Sequence, residues 1–339
     1  MAVSGTAVRK RTVEVLFAPV WLVLAAVAAA FALGAQVSPT LAAVPLVASV
    51  LVLGLPHGAT DHVVAAHSGL SQRAYLFVAA VYLVLGGAYL VAWFLAPVAS
   101  FVFFIALTLV HWGQGDCYVL SERSDGRYPA SRGHTALLVA TRGALPMLVP
   151  LVAFPGIYER VFAWTVGLFG VGPDAVAWAF TPAARTVVAG ALAVLFATTL
   201  AVGYRVDGET WRLDAAETGL LVAFFGLVPP LLAVGLYFTL WHSLRHVVRT
   251  VLLDEPSVDA LARGDRLTAA LRYVRDAAPN TVGALAVLAA VWVTVPRTPA
   301  GVEGAVAAYL VLLAVLTLPH FLVVSALDRA QGVWSAGET

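Results

Sequence analysis

Apolar residues along the chain collect in long runs, and polar or charged residues collect in short gaps between them. A helix needs about 20 largely apolar residues to cross the hydrocarbon of a bilayer. Runs of that order occupy residues 13–35, 40–57, 74–96, 99–119, 135–155, 158–180, 184–204, 217–244, 280–297 and 304–327. No segment alternates apolar and polar positions as a strand would, so a membrane barrel is not expected. The pattern predicts an all-α, polytopic transmembrane bundle of about 8–10 helices, with residues 1–339 as one integral membrane domain.

The gaps sharpen this picture. The sixth run is interrupted by Glu159, Arg160, Gly172, Pro173 and Asp174. The longest gap, 245–279, holds "SVDALARGDRLTAALRYVRDAA", in which Val258, Leu261, Leu267, Leu271 and Val274 can share a face opposite arginines. It predicts an amphipathic helix at the membrane surface. The start, "VRKRT" before an apolar run, resembles a signal peptide, but the run continues to Gly34 with no small-residue cleavage site. A first helix or uncleaved anchor is expected. Positive residues in short loops set orientation. With Arg9, Lys10 and Arg11 inside, the inner loops carry Arg73, Arg123, Arg127, Arg132, Arg185, Arg249, Arg263, Arg266, Arg272 and Arg275. The outer loops carry mainly Arg160, Arg205, Arg212 and Arg297. This predicts a multi-pass protein of the cell membrane with a cytoplasmic N-terminus. Without the sixth run, or an equivalent crossing, the arginine-rich 245–279 gap would fall outside.

Composition agrees: 61% of residues are hydrophobic and 12% charged, against about 25% charged in soluble domains. Mean hydropathy is +0.89. Membrane lipids are thus the expected surroundings, and a net charge of +1 without a basic stripe gives no reason to expect nucleic acid. Cys117 is the only cysteine, so no intrachain disulfide or cysteine-rich metal site can form. Lys10 is the only lysine and lies in the N-terminal tail. A photoreceptor that binds retinal as a Schiff base deep in a helix is thereby excluded.

The candidate chemistry is histidine. Of eight histidines, His134 lies in a polar stretch and His67 just past a run. The rest lie within or at the ends of apolar runs, in "GLPHGATDH", "LVHWGQGD", "LWHSLRHVVR" and "TLPHFLVV". Ionisable groups inside membranes usually face an interior or a water-filled cavity. His242 and His246 are four apart, which stacks both on one helical face as two ligands of one metal would be. The predicted orientation puts His57, His111, His242, His246 and His320 at similar depth on four helices. Imidazoles suit iron, zinc or copper. Asp61 and Asp116 also leave open a hydrolase or oxidase. Arg142, inside an apolar run, leaves open a transporter with an ion path or, alternatively, a tie between helices.

In order and spacing, "PHGATDH", "HWGQGD", "WHSLRH" and the C-terminal "LPH" resemble the Brp/Blh family of β-carotene 15,15′-dioxygenases, the bacteriorhodopsin-related proteins. The resemblance spans residues 56 to 320. It implies an enzyme that uses Fe2+ and O2 to cleave lipid-dissolved β-carotene at its central double bond, giving two retinals for hand-over to an opsin. Carried over by motif, the iron ligands are His57, His111, His242 and His246. Asp61, His62, Gln114, Asp116, Trp112, Tyr237, Trp241 and His320 are expected beside the ligands or along the substrate channel. Asp61 lies four residues after His57 and Gln114 three after His111, so each shares a helical face with a ligand if its helix continues. Tyr118, Phe238 and Phe321 are further aromatics near the motifs.

Overall fold

The computed structural model describes residues 5–67 and 74–332, and every regular element among them is helical. In chain order these are α1 (Gly5–Ala32), α2 (Pro39–Ala48), α3 (Gly54–Gly58), α4 (Asp61–His67), α5 (Ala74–Val81), α6 (Gly87–Leu95), α7 (Pro97–Arg123) and α8 (Arg132–Ala153). There follow α9 (Pro155–Gly167), α10 (Pro182–Tyr204), α11 (Gly208–Leu227), α12 (Pro230–Leu236), α13 (Leu244–Val251), α14 (Glu255–Ala262), α15 (Arg266–Thr294) and α16 (Gly301–Ala330). A π-helical turn, Tyr82–Gly86, joins α5 to α6, and another, Tyr237–Ser243, joins α12 to α13, so each pair forms a continuous rod. Among the described residues, seven stretches are long and apolar enough to cross a membrane: Val15–Ala32, Tyr75–Leu95, Pro97–Arg123, Arg132–Ala153, Pro182–Tyr204, Arg266–Thr294 and Gly301–Ala330. The chain is a multi-pass membrane protein.

Two expected crossings are rearranged. Residues 158–180 do not cross. α10 runs antiparallel to α8: Arg185 near its start donates to the Val152 carbonyl at the end of α8 (2.9 Å), and Thr199 near its end bonds Thr141 (2.7 Å). The chain therefore enters α10 on the side where α8 stops, and α9 with a 3-10 stretch over Pro173–Phe180 stays there. Residues 217–244, conversely, are two elements. Pro229 and Pro230 lack the N–H groups that would carry α11 forward, so α11 ends and α12 begins. The two changes cancel, and later segments keep their expected directions. Arg185 moves to the end opposite the arginine-rich one. Arg205 and Arg212 move to the arginine-rich end, beside the 124–131 turn, where Tyr128 packs on Gly203. Arg73 lies outside the described residues.

Lipid tails are as apolar as leucine, so close packing and polar contacts hold such helices together. α7 and α8 cross at Gly113 and Gly143. A Cβ on Gly113 would stand 2.0 Å from the Val139 carbonyl oxygen, and one on Gly143 1.7 Å from that of Leu109. Only hydrogen at these positions lets the two backbones approach so closely, and His111 and Trp112 are carried into the bundle beside the crossing.

The surface helix expected over 245–279 is divided among the end of the α12–α13 rod, α14 and the first half of α15. Val258 and Leu261 pack toward Phe17 of α1, whereas Leu267, Leu271 and Val274 are exposed. α15 meets the bundle through Ala269, Tyr273 and Ala277 instead. Arg249, expected in a loop, is buried in α13; it pairs with Asp328 (2.7 Å) and its guanidinium lies over the Tyr118 ring.

A layer of buried charge crosses the bundle. Arg142 of α8 reaches Asp214 (2.8 Å) and Glu217 (3.0 Å) of α11 and Asp116 of α7 (3.6 Å). Arg245 of α13 bridges Asp116 (2.9 Å) and Glu217 (2.7 Å). Trp21 donates to Glu217 (3.1 Å), Trp241 to Asp116 (3.0 Å), and Tyr128 to Asp214. Charges removed from water are costly unless paired this thoroughly. The network ties α1, α7, α8, α11 and the α12–α13 rod together. Arg142 thus acts as a tie between helices and lines none of the cavities described below.

Candidate metal centre

The stretch "GLPHG" departs from regular helix before it delivers His57. Leu53 takes φ 63°, a conformation rarely adopted by a residue with a side chain, and turns the chain into the five-residue α3. Irregular backbone at membrane depth persists only where other groups satisfy it. Here α15 does so: Tyr273 donates to the Pro56 carbonyl and Asn280 to the Ala59 carbonyl, both at 2.7 Å. Ser49, at the preceding break, bonds Tyr309 of α16 (2.8 Å). His57 Nδ1–H donates to the Gly54 carbonyl, which leaves Nε2 for another partner.

His57 meets four other buried histidines: His111 from α7, His242 from the second π turn, His246 from α13 and His320 from α16. Ring centres lie 4.7 Å apart for His111–His320, 4.9 Å for His57–His320 and His111–His242, and 5.0 Å for His246–His320. His57 lies 5.3 Å from His242 and 5.4 Å from His246. All six contacts are edge-on, with interplanar angles of 73–87°. Nε2 of His111, His242, His246 and His320 is buried without a hydrogen-bond partner, as is Nδ1 of His111. Each such group costs about 1–3 kcal/mol unless something binds it. A single metal ion would answer one nitrogen of each ring at once. Ligand atoms of His57, His111 and His320 lie within 4.8 Å of one another, as do those of Asp61, His246 and His320. Two nitrogens on one ion at about 2.1 Å can be no more than about 4.2 Å apart, so each trio lies close to that limit, while His242 belongs to neither trio and joins the cluster through its ring contacts with His57 and His111. Buried imidazoles of this number fit a divalent transition metal.

The structure brings some of the other expected residues to this centre and places others elsewhere. Asp61 is present but does not reach His57. α3 ends at Gly58 and a new helix starts at Asp61, so helical spacing between them is lost. Asp61 accepts instead from His320 Nδ1 (2.9 Å to both oxygens) and from Tyr82 (2.7 Å). Gln114 donates to Ser325 (3.4 Å), not to a ring nitrogen, while Asp116 and Trp241 belong to the charge layer. Tyr237 is buried against Trp112 (5.1 Å). His62 is half-buried, accepts from Asn280 (3.2 Å) and packs edge-on to Tyr75. His134 is buried rather than loop-exposed; it lies in the first turn of α8, which Ser131 caps, and packs edge-on to Tyr128. Sequence reasoning missed Tyr82, Tyr273 and Asn280, which stand in apolar or surface-helix stretches with no motif around them. Arg245 was visible inside "LWHSLRH" as an intramembrane charge.

A cavity of about 440 Å³ opens on the centre. His57, His111 and His320 form its floor, and its walls are mostly apolar, from α5–α6, α15 and α16. Its mouth includes exposed Leu83, Gly87 and Gly283, with His62, Tyr75 and Asn280 as a polar rim. A smaller chamber of about 90 Å³ lies behind Trp112, Phe238 and Leu313, which line both spaces. Trp112 and Phe238 stack at 5.8 Å, and Trp112 lies 5.3 Å from His242.

Fold and site together define a multi-pass helical membrane protein with a buried histidine centre of metal-binding type beside an apolar cavity. The model of the β-carotene 15,15′-dioxygenase family matches residues 48–328, and the chain belongs to that family of enzymes. It is 44% identical over 320 residues to the probable β-carotene 15,15′-dioxygenase Blh of Halobacterium salinarum, covering 92% of each chain. It is 30% identical over 357 residues to the probable β-carotene 15,15′-dioxygenase Brp of the same organism, covering 94% of this chain and 98% of the relative. No solved structure matches it.

Proposed function

We propose that this protein cleaves β-carotene with O2 at the central 15,15′ double bond, giving two all-trans-retinal molecules, with ferrous iron held by His57, His111, His242 and His246. The observation that carries this reading is the buried histidine cluster forming the floor of an apolar cavity that reaches the lipid-facing surface. When bound, iron supplies the activation of O2 that side chains alone lack. The protein supplies the rest. Apolar walls take up a hydrocarbon and exclude water from the reaction. Trp112 and Phe238 offer flat faces beside the cluster against which a polyene can lie in register. The Gly54 carbonyl and the Asp61 carboxylate fix the rings of His57 and His320. One hydrocarbon and one O2 give two aldehydes of half its length, so the balance needs no external reductant.

The protein is proposed to lie in the cell membrane with its arginine-rich end, and hence its N-terminus, in the cytoplasm. Retinal released through the lateral mouth enters the bilayer, where an opsin can take it up. The test is expression in β-carotene-producing cells, with retinal and bound iron measured for the parent and for His57→Ala, His111→Ala, His242→Ala and His246→Ala. Retinal from the parent alone is expected. A folded parent that makes no retinal overturns the function, and activity that survives all four changes overturns the site.

A further inference from the structure

We infer that His320 is a fifth metal-ligating histidine, held by Asp61 and Tyr82. The inference rests on the reading that the histidine centre binds metal, and it adds to the four ligands proposed above.

The ring of His320 is held by a carboxylate that is itself held by a tyrosine. Both oxygens of Asp61 lie 2.9 Å from its Nδ1, and Tyr82 donates to Asp61 Oδ2 at 2.7 Å. A carboxylate accepting at Nδ1 places the proton there and leaves the lone pair on Nε2. That Nε2 is buried, has no hydrogen-bond partner, and belongs to a ring that meets His57, His111 and His246 edge-on at 4.7–5.0 Å. Metal-bound histidines commonly give their other N–H to a carboxylate, which fixes the ring and raises its basicity. Among the described histidines of this cluster, only His320 has that arrangement. It also belongs to both groups whose ligand atoms lie within 4.8 Å of each other.

The Asp61 carboxylate also lies within 4.8 Å of ligand nitrogens of His246 and His320. Its oxygens are engaged by His320 and Tyr82, so it acts as a positioning residue. Three separate elements build the assembly: α4 brings Asp61, the first π turn brings Tyr82, and α16 brings His320. The competing reading is a His320–Asp61 ion pair that only joins α4 to α16. That pairing accounts for Nδ1 alone and leaves the buried Nε2, on a ring that meets three other imidazoles, without a hydrogen-bond partner.

The experiment uses the purified full chain, titrated anaerobically with Fe2+ and, as a spectroscopic probe, with Co2+. X-ray absorption counts the imidazoles on the bound metal. His320→Ala is expected to remove one imidazole and weaken metal binding at least roughly 10- to 100-fold, with added free imidazole restoring both. Asp61→Asn preserves side-chain shape and is expected to weaken binding roughly 10- to 100-fold and shift the Co2+ spectrum. Parent affinity and an unchanged imidazole count in His320→Ala overturn the proposal. If that variant does not fold, parent affinity and an unshifted spectrum in Asp61→Asn overturn it. A parent that binds no metal overturns this inference and the proposed function together. A parent with five imidazoles on its metal but no retinal product overturns the carotene reading and supports the assignment of His320.

Discussion

Lateral entry from the membrane can be tested at the cavity mouth. Gly87 of α6 and Gly283 of α15 both line the cavity and are exposed, and a Cβ at either would meet nothing within 4 Å. A side chain can therefore leave the backbone at each position without its Cβ touching a neighbour. Helix propensity favours Phe over Gly by a few tenths of a kcal/mol, up to about 0.5 kcal/mol, so Gly87→Phe and Gly283→Phe should fold as well as the parent. A substrate that must pass them meets a ring where it met open space. One surplus methylene in an apolar pocket costs about 1–3 kcal/mol, or roughly 10- to 200-fold in kcat/KM. A phenyl ring across the mouth of a cavity of about 440 Å³ should reach at least the upper end of that range. Gly190→Phe on α10 is the control, because Gly190 is equally open and exposed but lines neither cavity. The assay is retinal formation from β-carotene in detergent, with thermal unfolding and metal content measured alongside. Equal kcat/KM for all three variants and the parent would refute entry at this mouth. An equal loss in Gly190→Phe would show that added bulk, not position, caused the effect.

Three further outcomes follow from the packing. Arg142→Met leaves Asp214 in the bundle without its cation and Asp116 and Glu217 sharing Arg245 alone. It is expected to cost roughly 3–5 kcal/mol by denaturant unfolding, and a loss under about 1 kcal/mol would mean the layer is not held by this arginine. Gly143→Ala forces α7 and α8 apart, because its Cβ would stand 1.7 Å from the Leu109 carbonyl oxygen. Destabilisation toward the top of roughly 1–3 kcal/mol, with weakened Co2+ binding as His111 shifts, is expected, and parent behaviour in both measurements would contradict the crossing described. Hydrogen bonds from Arg272 hold the Asp254 carboxyl below its ordinary range. That contribution to stability is present above the unfolded value and disappears as pH falls through the folded one, so α14 should loosen only in acid, below about pH 4. Hydrogen exchange of residues 255–262 against pH checks this, and Asp254→Asn should remove the acid step.

The helical bundle was legible because lipid demands long apolar runs, and the histidines stood out because they are costly inside such runs. The same rule misled at two places. Residues 158–180 are apolar enough to cross yet stay at one end, and two prolines inside 217–244 divide what hydropathy joins. Hydropathy sums over a window and is insensitive to a break within it. Positions on helix faces were predicted well only where helix persisted. Asp61 follows His57 by four residues, but the chain bends between them, so Asp61 turns to His320, which is 259 residues away. Tyr82 and Asn280 gave no signal, since a polar tip on an apolar or mixed stretch is ordinary in membrane helices.

The π turn over Tyr237–Ser243 makes a count of residues matter as much as their identity. A π turn accommodates one residue more than the α-helix around it, and each residue in an α-helix turns the chain by about 100°. On one side of the turn Phe238 faces the cavity, and on the other His242 and His246 face the cluster. Loss of Leu240 from this segment would let the rod relax into plain α-helix with Phe238, His242 and His246 all still present. One end would then be rotated by about a quarter turn relative to the other. The aromatic wall would leave the cavity, or the histidine pair would leave the centre. Insertions and deletions here are thus expected to be more damaging than most substitutions.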